Sequence, residues 1–512
     1  MNAGISYIAS VIEKVRIEAN RVQQKQTMEK NIAETFRNGT FLVTGSTGFL
    51  GKVLIEKILR TCSVKNLAII VRSKKGISSK ERVEDAYKQA LFDRLRIEKP
   101  DFMNNIKVID GDLEKTTISS PDDYQWMIEN VDFIFHCAAT IKFNEPVESA
   151  CKINIQGTER ILTLATKMKN LKGFVHVSTA YSHCPRDEIK EQYYPTPITS
   201  AELQNMISSD KLPSNIVGNW PNTYTFTKSI VENSIATNYG HLPISIFRPS
   251  IIGCSVAEPE PGWTDNTNGA TGLIASKIAG VLRTIQLDTS KITDIIPIDY
   301  TANALICTMW DTVKRYQDPN AFYEEPKIYN YVSSCESAVT WNMMLIYVNE
   351  VIKYYPPLTS MWYNFCIFST NFWIVMILKL LLHRIPAALV DLSLFICGKK
   401  PRMLKMYEKL ELSIDMVKVF TMREWKFDNI NTRKMWSSLR PEDRKTFYYS
   451  FEGFDWNSYM NIYFHGIRKH ILKEDLNNIE TALAKHKKLF WYHHLSIVLI
   501  VCLVVHICWM SR

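Results

Sequence analysis

Short runs of β-branched and aromatic residues alternate with helical stretches from about Thr40 to Asp299. FLVTG (41–45), LAIIVR (67–72), IKVIDGDL (106–113), VDFIFHCAA (131–139), FVHVSTAY (174–181) and ISIFRPSIIG (244–253) are six strand candidates. Each is continuously apolar rather than alternating, as strands buried on both faces are. Helical patterns separate them, so the series reads as βαβ units on a parallel sheet. After about residue 340 the pattern becomes helical, aromatic and basic. A boundary is expected at 330–355, where SSCES (333–337) precedes Pro356 and Pro357. The expected organisation is a lead at 1–37, an α/β domain at 38–335, a helical domain at 350–475 and an apolar tail at 489–510.

Two longer apolar runs stand out. Leu489 to Met510 holds 22 residues with no formal charge, enough to span a bilayer core. Trp491, Tyr492 and Trp509 lie at its ends, as interfacial aromatics do. Lys485, Lys487 and Lys488 precede it, which sets the preceding chain on the cytosolic side. This predicts a transmembrane tail anchor in the endoplasmic reticulum or peroxisome. Tyr354 to Leu378 is also free of charge but carries Pro356, Pro357, Asn364, Ser369 and Asn371. A spanning helix, an interfacial helix and a core segment all fit it. At the other end, residues 5–36 suggest a polar helix with Ile5, Ile8, Ile12 and Val15 on one face. Glu13 and Lys14 interrupt any signal-peptide core.

Composition narrows the class without deciding it. The chain has 512 residues, 46% apolar and 22% charged, which excludes a disordered or wholly membrane-embedded protein. The net charge is +9, too little to argue for nucleic acid. Residues 398–488 hold 19 Lys and Arg against 12 Asp and Glu, so most of the surplus is local. That segment calls for an anionic partner, either membrane lipid or a phosphate-bearing substrate. The 11 cysteines are scattered without CxxC or zinc-like spacing, which suggests reduced thiols and no metal.

The first strand runs into Gly45-Ser46-Thr47-Gly48-Phe49-Leu50-Gly51. Glycines at this spacing between a strand and a helix allow a tight turn, close approach to a pyrophosphate and helix-on-strand packing. The helix N-terminus then meets the phosphates. This predicts a Rossmann-type doubly wound sheet with a dinucleotide site. A ribose-binding acid is expected about 20 residues later in NAD sites. Here the second strand ends in Arg72, Lys74 and Lys75, with no acid from 66 to 80, which favours the 2′-phosphate of NADPH. Asp112 and Leu113 are placed to meet the adenine. Cys137, Ala138, Ala139 and Thr140 are small enough to admit the nicotinamide ribose, and Cys137 reads as a spacer rather than a nucleophile.

Tyr224 and Lys228 form Y-x-x-x-K, one face of a helix. A nearby ammonium is expected to lower a tyrosine pKa by about 1–3 units, giving a proton donor or acceptor near neutral pH. Ser178 or Thr179, closing the fifth strand, can hydrogen-bond a substrate oxygen. The polar, Pro-containing stretch between Thr179 and Tyr224 is expected to lie over the site.

These motifs, with GDL (111–113), Asn154 and FRPSIIG (247–253) in order, resemble the extended short-chain dehydrogenase/reductases. HCAATIKFNEP (136–146), HVSTAYSH (176–183), HRIPAALVDLSLFICGKKP (383–401) and FDWNSYMNIYFHGIRKHILKED (454–475) make the chain most similar to fatty acyl-CoA reductases. The resemblance implies reduction of long-chain acyl-CoA to a fatty alcohol with two NADPH, through a hemithioacetal and an aldehyde. It implies Tyr224, Lys228, Ser178 and Thr179 as catalytic residues. The alternative within the superfamily is a membrane-bound sterol or sugar-nucleotide dehydrogenase, against which the C-terminal half argues.

Overall fold

The computed structural model describes residues 31–318 and 325–510. The expected lead helix over 5–36 falls mostly outside them; its last turn is a helix at Ile32–Phe36. Seven parallel strands form the central sheet. They are β1 (Gly39–Thr44), β2 (Val64–Val71), β3 (Ile106–Asp110), β4 (Phe133–His136), β5 (Gly173–Val177), β6 (Ile244–Pro249) and β7 (Lys327–Tyr331). Their order across the sheet is β7-β6-β5-β4-β1-β2-β3. The six expected strands are all present. β7 was not expected from the pattern, because KIYNY mixes Lys and Asn with its apolar residues and is only five residues long.

The continuous apolar pattern has its physical cause in two covered faces. Every residue of β1 is buried. Phe41 and Val43 join one core with Leu54 and Ile58 of α1 (Phe49–Thr61). Leu42 joins the opposite core with Ile230 and Ile235 of α2 (Thr223–Asn238). Successive residues point to opposite faces, and helices cover both, so neither face calls for polar residues. Helix α3 (Ile298–Gln317) adds Leu305, Ile306 and Met309 to the first core. The strand order reverses between β1 and β4, which opens a crevice at their carboxyl ends. The glycine loop after β1 and the HCAAT segment after β4 both end there.

The later half is knitted into this frame. Helices α4 (Trp341–Tyr354) and α7 (Trp456–Gly466) pack together in a third core. Met435, Leu439, Phe447, Tyr449 and Phe451 return to the core that holds β1. Lys426–Phe427 pairs in parallel with Glu188–Ile189, which lies between Thr179 and Tyr224.

The apolar stretch 354–378 is not one helix. Helix α4 stops at Tyr354, just before the two prolines, as residues before proline leave helical geometry. Ile367–Ser369 then pairs with Thr284–Gln286. A new helix, α5, runs Phe372–Ile396, and α6 (Met403–Met422) returns beside it. The final helix, α8, spans Ile479–Met510. Helices α5 and α8 are long and apolar enough to cross a membrane, and both are mostly exposed.

Candidate active site

The glycine loop has the strain and closeness its sequence implies. Gly45 has φ +72°, a left-handed geometry costly for other residues. A Cβ there would stand 2.9 Å from the Ala138 amide, and one on Gly51 would stand 2.2 Å from the Gly45 carbonyl oxygen. Gly48 caps α1 and offers no side-chain acceptor, so the first N–H groups of that 13-residue helix stay free for an anion. This cradle, open where side chains would fill it, fits a dinucleotide pyrophosphate. Ser46 is buried beneath the loop, while Thr47, Phe49 and Leu50 are partly exposed.

Behind the loop, one chain of hydrogen bonds ties β1 to β4. The Thr158 hydroxyl donates to the Asn154 carbonyl at 2.6 Å. His136 Nε2, 2.9 Å away, must therefore donate to Thr158. His136 Nδ1 then accepts from the Thr44 hydroxyl at 2.8 Å, and Thr44 Oγ1 accepts from the Ala138 amide at 3.2 Å. Burial, aided by the Lys228 charge, pushes His136 down to about 3, which keeps this neutral tautomer in place. Asn154 spans the next gap. Its side-chain Oδ1 accepts from the Thr140 amide at 2.8 Å and its Nδ2 donates to Thr227 Oγ1 at 2.9 Å. The walls of the crevice are thus braced to the helix carrying Tyr224.

At the β2 end, Arg72 is not the isolated cation its sequence neighbourhood suggests. It pairs with Glu114 and lies 3.9 Å from Asp112, acids supplied by the chain after β3. Asp112 also accepts from the Glu114 amide at 3.0 Å. Leu113 packs near Gly157, and its carbonyl accepts from Arg160 at 2.6 Å.

Tyr224 and Lys228 lie on α2 as expected, but their electrostatics differ from the sequence expectation. Lys228 is fully buried and donates to the Val177 carbonyl at 2.6 Å. Burial pushes it down to about 8. Tyr224 is pushed up by burial, while contact with the Thr179 hydroxyl pulls the other way. The direction is opposite to the expected lowering by Lys228, because desolvation disfavours the phenolate and the Glu232 charge adds to that. The phenol stays neutral, the form that donates a proton. Cys137 is pushed up to about 12 by burial, so its thiolate is not available near neutral pH.

The structure also separates Ser178 from Thr179. The Ser178 hydroxyl donates to the Glu232 carboxylate, so its one proton is already committed. Thr179 faces Tyr224 instead. Glu232 lies eight residues beyond Tyr224 on the same helix, an alignment that could have flagged it. Its carboxylate also meets His183 Nε2 at 3.0 Å and Arg248 Nε at 3.0 and 3.2 Å. Burial pushes Glu232 up, but Arg248 and then His183 outweigh it and hold the carboxyl well below the ordinary range. Arg248, the arginine of FRPS, donates onward to the carbonyls of Lys190 (3.0 Å) and Gln192 (3.2 Å). It thereby pins the segment between Thr179 and Tyr224.

An aromatic wall closes the substrate side. The Phe143 ring stacks 6.2 Å from Tyr224. Phe420, from the last turn of α6, is 5.9 Å from Phe143 and 4.9 Å from Tyr181. Trp425 is 5.1 Å from Tyr181. Local sequence patterns hold no signal for this wall, since it joins residues nearly 300 positions apart.

Family comparison agrees with this architecture. The male sterility protein models match residues 43–305 and 382–474. The Drosophila melanogaster "Fatty acyl-CoA reductase wat" is 34% identical over 469 residues, covering 90% of this chain and 89% of that one. "Fatty acyl-CoA reductase 1" of Xenopus laevis is 35% identical over 477 residues, covering 90% of each. Among solved structures, the terminal R domain of the myxalamid PKS-NRPS pathway superposes with TM-score 0.55 at 18% identity, covering 86% of this chain and 92% of that one. The reductase domain of a Mycobacterium tuberculosis non-ribosomal peptide synthetase gives 0.55 at 14% identity, with 88% and 96% covered. At such identities the structural likeness speaks for the fold alone.

Proposed function

We propose, on the premise that the chain belongs to the fatty acyl-CoA reductase family, that it reduces long-chain acyl-CoA to the fatty alcohol with two NADPH. The observation that carries this reading is the Thr179–Tyr224–Lys228 constellation, beside a glycine cradle and walled by aromatics from the C-terminal half. NADPH bound in the crevice supplies one hydride for each reduction. Gly45, Gly48 and Gly51 with the α1 amides hold its pyrophosphate, and Asp112 its adenine. Arg72 holds the 2′-phosphate, exchanging Glu114 for it.

The chain's own groups do the rest. Thr179 donates a hydrogen bond to the thioester oxygen, and the neutral Tyr224 phenol gives its proton as negative charge develops there. Donors aimed at such an oxygen are often the largest electrostatic contribution to rate. The hemithioacetal hydroxyl then returns its proton to the Tyr224 phenolate as CoA thiolate leaves, which restores the neutral phenol, and the same pair serves the aldehyde in the second reduction. Lys228, with two N–H donors left after bonding to Val177, holds the nicotinamide ribose, and its positive charge favours the Tyr224 phenolate left after each proton transfer. Ser178, bound to Glu232, supports the β5 end rather than the substrate. The basic face of residues 398–488 serves CoA phosphates and membrane lipid. The catalytic part stands on the cytosolic side of an endoplasmic-reticulum or peroxisomal membrane, held by α8.

The test is turnover of palmitoyl-CoA with NADPH, following nicotinamide oxidation and free thiol together. The expected result is two NADPH consumed per thiol released. No thiol release with palmitoyl-CoA or its shorter and longer homologues refutes the reading. Tyr224→Phe is expected to lower kcat by about 10²–10⁴-fold while NADPH still binds; retained turnover removes Tyr224 from its role.

A further inference from the structure

Helix α5 is long and apolar enough to cross a membrane, yet its two sides differ. Val375, His383, Ala387 and Asp391 are buried, and Lys379 beside them is mostly covered. These positions recur every four residues, which on a straight α-helix drifts by about 40° per step. A π-turn at Lys379–Arg384 inserts the extra residue that brings the stripe back into line. The stripe faces α6, in antiparallel order, and the segment 283–286, whose Arg283 amide donates to His383 Nε2 at 3.1 Å. Asp391 accepts from the amides of Arg402, Met403 and Leu404 at 2.8, 2.8 and 2.9 Å. Arg384 bonds Glu411 at 2.7 Å, Lys379 bonds Asp415 at 2.8 Å, and the Lys418 ammonium lies 5.3 Å from the Phe372 ring.

The outer side is apolar and open. Trp373, Ile377, Leu389, Leu392 and Phe395 are each more than half exposed. Helix α6 cannot follow such a face into hydrocarbon. Lys405, Glu408 and Lys409 point outward from it, and charges inside the bilayer are costly. A crossing α5 would either drag α6 with it or abandon every bond just described. Lys399, Lys400 and Arg402, all exposed, rim the turn between the two helices, as anionic headgroups favour. The tail helix lies close by: Phe365 stacks 4.5 Å from His493, and Tyr363 stands 5.4 Å from Phe490.

We propose that α5 lies flat on the cytosolic membrane surface, its outer face in the acyl layer and its inner face on α6, and does not cross the bilayer. This rests on the reading of α8 as the anchor that brings α5 to the membrane. An apolar helix face with charge on its other side is the pattern of an interfacial helix. The first turn of α5 lies beside the last turn of α6, which carries Phe420 to the wall against Tyr224. A seated α5 therefore sets the bilayer next to the site that an acyl chain must reach.

The experiment uses the full chain in vesicles of phosphatidylcholine and phosphatidylserine. The exposed thiols Cys397, Cys502 and Cys508 are changed to serine. A depth-sensitive fluorophore is attached in turn at Trp373→Cys, Ile385→Cys, Phe395→Cys and Lys409→Cys, keeping only chains that still bind NADPH. The expected result is that the first three probes are quenched about twofold or more better by nitroxide near the headgroup than near the acyl terminus. The Lys409 probe is then quenched by aqueous iodide. Deep quenching at Ile385 with shallow ends means that α5 crosses, and overturns the proposal. Iodide quenching at all four, or shielding from both quenchers in a dimer, also overturns it. A chain that fails to float with the vesicles overturns the anchor reading as well. No readout here is turnover, so the acyl-CoA reading stands or falls separately.

Discussion

Replacing Glu232 by leucine strikes the most densely bonded carboxylate near the site. Glu232 is 1% exposed and Arg248 0%, so the change leaves a guanidinium inside the protein without its counter-ion. Breaking a buried pair from one side costs about 3–5 kcal/mol. Arg248 keeps the Lys190 and Gln192 carbonyls, which argues for the lower half of that range. Loss of an acceptor for Ser178 and His183 adds roughly 1 kcal/mol for each group left unpaired. The expected total, about 5–6 kcal/mol, is a large share of a typical stability of about 5–15 kcal/mol. The double variant Glu232→Leu/Arg248→Met removes both charges together. It should fall short of the sum of the singles by about 1–3 kcal/mol. The assay is urea unfolding of the detergent-solubilised full chain, followed by tryptophan fluorescence, for the wild type, both singles and the double. A single-variant loss below about 1 kcal/mol, or strict additivity in the double, refutes the argument. The sign with pH is also set. Glu232 has a folded pKa below its unfolded value, so its contribution is complete above about pH 4.3 and is lost only as pH falls further. Between pH 7 and pH 5 Glu232 itself stays ionised, and the Glu232→Leu difference should only widen toward pH 5, because the carboxylate is what holds the His183 pKa up against burial.

Lys228, at about 8, is mostly protonated at neutral pH. kcat/KM should therefore fall about tenfold per unit as pH rises beyond about 8, and a profile flat past about pH 9 removes the ammonium from the mechanism. Its burial also costs stability below its folded pKa, since the unfolded chain binds the proton more tightly there. Arg72→Ala should raise KM for NADPH by roughly tenfold, the low end for a charged hydrogen bond to a half-exposed group, and leave KM for NADH nearly unchanged. Equal effects on both cofactors would place Arg72 elsewhere. Gly51→Ala should cost about 1–3 kcal/mol and abolish nicotinamide binding by calorimetry, because the new Cβ meets the Gly45 carbonyl oxygen at 2.2 Å. Normal binding would show that α1 can shift without closing the cradle.

Six of the seven sheet strands, the glycine turn and the Y-x-x-x-K helix were legible in the sequence. Each depends on local periodicity or on a backbone geometry that only certain residues permit. A doubly covered strand must be apolar throughout, and a loop in which Gly45 has φ +72° calls for glycine. β7 was not legible, because a short strand beside β6 needs little apolar signal of its own. Only the tertiary structure places Ser178 on Glu232 and Thr179 against Tyr224. That difference depends on where Glu232 and Arg248 meet, which no local pattern records. The tertiary structure also reversed the expected direction for Tyr224, since burial depends on the whole fold and spacing shows only the ammonium. The aromatic wall from Phe143 to Phe420 and the two-sided character of α5 belong to the same class. Hydropathy measures how apolar a helix is, whereas the partner lying along it decides which side is free to leave water.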